Sequence, residues 1–82
     1  MKKTTKIINE LIGWYGTCVI VLAYALTSFK ILSSSSFLYQ MMNLTGALGI
    51  VYISFLKKAY QPGVLNIIWA IIAFVSIILL FI

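Results

Sequence analysis

Three apolar stretches, 11–29, 37–56 and 64–82, take up nearly all of this 82-residue chain. Each has about 19 or 20 residues, which as a helix rising about 1.5 Å per residue matches the roughly 30 Å hydrocarbon core of a bilayer. Soluble domains carry about a quarter of their residues as charged side chains, whereas here the share is 9% and 63% of residues are hydrophobic. The expectation is an all-α integral membrane protein. It has one domain, residues 1–82, of three transmembrane helices, with the lipid bilayer as its first partner.

The lysines set the orientation. Lys2, Lys3, Lys6, Lys57 and Lys58 fall at the N-terminus and in the second loop, which three crossings place on one side, and only Lys30 falls in the first loop. Positive charge is retained on the cytoplasmic side of a membrane, so the N-terminus is predicted inside and the C-terminus outside. The basic balance thus reports topology, and no nucleic-acid partner is expected, because these lysines border apolar spans instead of clustering on one folded face. A secretory signal is the competing reading of the start, with Ala23-Tyr24-Ala25 as a small-x-small pattern. The apolar run is long for a signal and Gly13 and Gly16 interrupt it, so a retained first helix is expected.

Arg, Asp and His are absent, and Glu10 is the one carboxylate. No nucleophile with an adjacent base, paired carboxylates or metal-ligand spacing can be assembled from this inventory. The chain is therefore not expected to be an enzyme, and no metal or cofactor is expected. Cys18, the single cysteine, lies inside the first span and reads as a small packing residue.

The polar and small residues within the spans are the informative ones. Gly13 and Gly16 in the first span, Gly46 and Gly49 in the second, and Ala70 and Ala73 in the third let helices approach closely. Tyr39, Asn43 and Gly46 share one helical face by their spacing, as do Asn66, Ala70 and Ala73, with Trp69 beside them. Buried amides in hydrocarbon need partners, so Asn43 and Asn66 are expected to point into the assembly. With Tyr39, Trp69 and Tyr24 they form the candidate substrate-binding set, Asn66 foremost because its amide donates and accepts together. The same residues would equally serve to hold helices together.

Residues 1–10 are expected to be helical only toward Glu10, where Lys6 pairs with it across one turn. The run Ser33–Ser36 offers an N-cap for the second helix. The second loop is expected to run from Lys57 to Gly63, with Pro62 opening the third helix.

The order Leu11-Ile12-Gly13-Trp14-x-Gly16, Ala23-Tyr24-Ala25, Tyr39-Gln40, Asn43-Leu44-Thr45-Gly46-Ala47, then Pro62, Asn66 and Trp69, resembles the CBU-like family of uncharacterised small bacterial membrane proteins. The resemblance covers residues 11–76 and implies three helices in a bacterial cytoplasmic (inner) membrane. A more distant resemblance is to SemiSWEETs, half-transporters of the PQ-loop fold that pair as parallel homodimers. It rests on Gly13, Ala25, Ser28, Lys30, Tyr39, Leu44-Thr45-Gly46 and Asn66, and implies a SemiSWEET-like triple-helix bundle with Asn66 at the position of a sugar-binding asparagine. Leu26-Thr27 stand where that family has proline and glutamine, Ile50 where it has a pocket tryptophan, and the lysines favour the opposite orientation.

Two functions follow as expectations. One is a homodimeric half-transporter or facilitator for a small uncharged solute, since three helices alone enclose no pathway. The other is an accessory or structural subunit docking on a larger membrane protein through the Gly46 and Gly49 face.

Overall fold

The computed structural model describes residues 2–82 and consists of three α-helices, α1 (Lys3–Ser28), α2 (Phe37–Leu56) and α3 (Tyr60–Leu80). Met1, the first residue of the expected domain, lies outside the described residues. By length and composition, α1 and α3 are the two helices apolar enough to cross a membrane. α2 has 20 residues but is diluted by Gln40, Asn43, Thr45 and Ser54. The three-helix architecture matches the sequence reading, and membrane-crossing capacity is met by two of the three.

α1 begins at Lys3, far ahead of the expected start, and its 26 residues make it about 39 Å long. Lysines and threonines before Glu10 do not prevent helix formation, because a helix can continue into water once an apolar segment has nucleated it. α3 likewise starts early, at Tyr60. Pro62 is its third residue, where the missing N–H belongs to the first turn and has no intrahelical acceptor to lose. The second connection thus shortens to Lys57–Ala59.

Both connections leave their helices in the same way. The Ile31 N–H donates to the Leu26 carbonyl at 2.9 Å and the Lys30 N–H to Thr27 at 3.1 Å; the Ala59 N–H donates to Ser54 at 2.7 Å and the Lys58 N–H to Phe55 at 3.2 Å. These are Schellman terminations, which place the residue after the cap in the left-handed region. Lysine occupies that position in each, Lys30 at φ 62° and Lys58 at φ 60°. The next helix is entered through Ser36, whose side chain accepts from the Tyr39 N–H at 3.2 Å, the cap the serine run offered.

α2 lies between the other two helices and packs on both, while the Cα atoms of α1 and α3 stay more than 8 Å apart. The seams are made of small residues. Asn9, Gly16 and Ala23 are buried at seven-residue intervals along α1, and Gly63, Ala70 and Ala73 are buried along α3. A seven-residue period keeps one stripe facing a neighbouring helix. At the α1–α2 crossing a Cβ on Gly16 would stand 2.5 Å from the Gly46 carbonyl oxygen, and one on Gly49 would stand 3.0 Å from the Ile12 carbonyl oxygen. The large apolar side chains, among them Val21, Leu22, Ile68, Ile71 and Phe74, point outward instead.

Candidate functional site

Asn43 is the residue around which a site can be built. It lies on the α3-facing side of α2, and the residue is 9% exposed. It lines a cleft of about 170 Å³ between the two helices, together with Tyr39, Gln40, Trp69, Ile72 and Ala73. Its amide makes no hydrogen bond to any described residue. The amide atoms are not fully enclosed but reach the surface of the cleft, where a ligand or water can hydrogen-bond to them.

The helices position this wall by simple means. Ala73 carries no side chain beyond Cβ, which opens room opposite Asn43, and Trp69, one turn earlier on α3, closes one side with its ring. Gln40 is steadied from the loop, its Nε2 donating to the Ser34 carbonyl at 2.9 Å. Phe37 and Phe81 meet edge to face with centroids 5.9 Å apart and interplanar angle 74°, holding the two helices together near this end. No carboxylate, lysine, arginine or histidine lines the cleft. The arrangement suits binding of an uncharged molecule with a hydrogen-bonding edge and a flat or apolar body.

Three of the five residues expected to bind substrate, Tyr39, Asn43 and Trp69, therefore share one cleft. Asn66 does not. Its Nδ2 donates to the Pro62 carbonyl at 2.9 Å within its own helix, and it faces a separate groove of about 260 Å³ with Ile20, Ile50 and Leu65, which touches the Asn43 cleft only through Trp69. Tyr24 is further removed, 71% exposed on the outer face of α1. Asn43 and Gly46 also part company: as α2 is packed on both sides, Asn43 turns to α3 while Gly46 turns to α1.

Of the packing residues, Gly16, Gly46 and Gly49 lie in the α1–α2 crossing, and a Cβ on Gly13 would meet the Ile53 side chain at 3.0 Å. Ala70 and Ala73 are buried on α3. The Gly46 and Gly49 face is thus covered by α1 and is not open to a larger protein, which corrects the expected docking surface.

The α1–α2 seam carries polar links that the spacing did not reveal. Tyr52 donates to Asn9 Oδ1 at 2.7 Å, and the Tyr15 hydroxyl lies 3.1 Å from Thr45 Oγ1. Glu10 pairs with Lys57 across the helices, not with Lys6 along α1. Both side chains are about half exposed, so the pair contributes at most about 1 kcal/mol.

A family model matches residues 9–82, which takes in α2, α3 and α1 from Asn9 onward. The chain belongs to the CBU-like family. The match takes in Asn43, Trp69 and the glycine crossing, so the features described above lie within the CBU-like unit. Neither the curated proteins nor the solved structures hold a match. The resemblance to SemiSWEETs consequently rests on the spaced residues alone.

Proposed function

We propose that this CBU-like protein crosses the bacterial cytoplasmic membrane three times and binds a small uncharged solute at Asn43, acting as one half of a homodimeric carrier. The observation that carries the solute reading is the Asn43 amide, which opens from a largely buried residue into the α2–α3 cleft and makes no hydrogen bond among the described residues. The cleft volume of about 170 Å³ lies below the roughly 300–1,000 Å³ of sites for drug-sized ligands. That points to a single ring or a short polyol.

The membrane reading is supported by the distribution of side chains. Small residues fill the seams and large apolar ones face outward, an arrangement that lipid solvates and water does not. The longest dimension, 43 Å, is close to the roughly 40–45 Å of a bilayer with its headgroups. α2, the central helix, would cross with its polar residues turned toward its neighbours. The Glu10–Lys57 pair joins the N-terminal end to the second connection, in keeping with five lysines on the cytoplasmic side and Lys30 on the other. Dimerisation is favoured because α1 and α3 flank α2 without closing on each other, so a second copy, in the same orientation, is needed to enclose a pathway.

The test is uptake of a panel of uncharged solutes, polyols, hexoses and small aromatic alcohols, into liposomes holding the purified protein. Saturable uptake of one class, lost in Asn43→Leu, is expected. An accessory role would replace this reading if the protein copurified in stoichiometric amounts with a larger membrane chain and moved none of the panel.

A further inference from the structure

We propose that the lysine-rich end of the bundle holds a binding site for the headgroup of an anionic phospholipid, set between the first turns of α1 and the last turn of α2. A cleft of about 380 Å³ opens there, lined by Lys6, Asn9, Glu10, Ile53, Leu56 and Lys57. Its walls are layered. Ile53 and Leu56 form an apolar side, and Lys6 and Lys57 bring the positive charge, the order in which a phospholipid presents acyl chain, glycerol and phosphate.

The charge distribution favours an anion. Glu10 and Lys57 form the one ion pair among the described residues, so the Lys6 ammonium enters the cleft without a carboxylate of its own. Two lysines against one glutamate leave a net single positive charge at the lining, which suits a phosphodiester carrying one negative charge. Lys2, Lys3 and Lys58 are exposed at the same end and add to the field.

Helix length places this cleft at headgroup depth. The Glu10–Lys57 pair marks where α2 ends against α1, and α1 continues beyond it to Lys3. These extra turns are amphipathic: Ile7 and Ile8, followed by Leu11, are at least half exposed, while Lys6 stands on the opposite side and Lys3 lies a turn beyond Ile7 at the helix end. A helix of this kind lies with its apolar face against acyl chains and its ammonium groups among phosphates. Lysines at a membrane surface each strengthen attraction to anionic lipid by about fivefold at moderate salt. The site rests on the membrane location and not on the Asn43 cleft.

Native mass spectrometry of the detergent-purified protein, titrated with phosphatidylglycerol or phosphatidylcholine of matched chains, tests it. Phosphatidylglycerol should be retained preferentially. Lys6→Gln should weaken its binding about fivefold with melting temperature unchanged, Lys6→Arg should keep it, and Lys30→Gln and Asn43→Leu should have no effect. Equal retention of both lipids, or unaltered phosphatidylglycerol binding in Lys6→Gln, would overturn the site. Displacement of phosphatidylglycerol by inorganic phosphate at equal concentration would overturn the lipid as the source of the phosphate.

Discussion

Gly16 and Gly46 bring α1 and α2 into backbone contact: the space a Cβ on Gly16 would need ends 2.5 Å away at the Gly46 carbonyl oxygen. Relief would require one helix backbone to move, because a carbonyl in a helix cannot rotate aside. Gly16→Ala is therefore expected to destabilise the bundle by about 1–3 kcal/mol, the cost of overpacking, even after alanine's better helix propensity returns about 1 kcal/mol. Gly63→Ala is the internal comparison, because the nearest atoms a Cβ there would meet belong to the Phe55 ring, at 2.9 Å. A ring can turn, so that variant should stay within about 0.5 kcal/mol of the parent. Thermal unfolding in one detergent measures both, and a Gly16→Ala protein as stable as Gly63→Ala would contradict the close crossing.

Lys30 and Lys58 hold left-handed conformations at φ 62° and 60°, where a side chain costs roughly 1–2 kcal/mol and glycine almost nothing. Each lysine also places its charge at a helix C-terminus, worth about 0.3–1 kcal/mol at low salt. Lys30→Gly and Lys58→Gly should thus each stabilise the protein, by about 1 kcal/mol in high salt where the dipole interaction is screened, and by less in low salt. A loss of stability at high salt would show that these side chains make contacts outweighing the backbone strain.

Thr27 Oγ1 is the one fully enclosed side-chain oxygen or nitrogen among the described residues without a hydrogen-bond partner. Valine has the same shape without the hydroxyl. Thr27→Val should raise stability by about 1 kcal/mol, as read from the melting temperature. A drop of that size would contradict an unpartnered hydroxyl.

How much of this was legible in the sequence depends on whether the determinant is local. α2 runs from Phe37 to Leu56 as read, because its boundaries are written nearby, in the serine cap on one side and Lys57 and Lys58 on the other. The start of α1 was not legible, since Lys3 and Lys6 look like a solvated tail and only the helix's continuation into water makes them helical. Pro62 misplaced the start of α3 by suggesting the first helical position when it occupies the third. The neighbours of Asn43 and the partner of Glu10 were beyond reach for a different reason. Spacing assigns residues to a face of their own helix, but which helix that face meets depends on bundle order, and α2 in the centre sends Asn43 and Gly46 to different neighbours.

The decisive measurement is of Asn43→Leu, with melting temperature and uptake of the panel-selected solute determined on the same preparation. Leucine branches at Cγ as asparagine does and asks for no hydrogen bond, and its extra bulk can enter the open cleft, so a residue kept for a ligand should be dispensable to the fold. The expected result is a melting temperature equal to or above that of the parent, by up to about 1 kcal/mol of stability, with uptake abolished. A destabilised Asn43→Leu protein, or one that still carries the solute, would contradict the account.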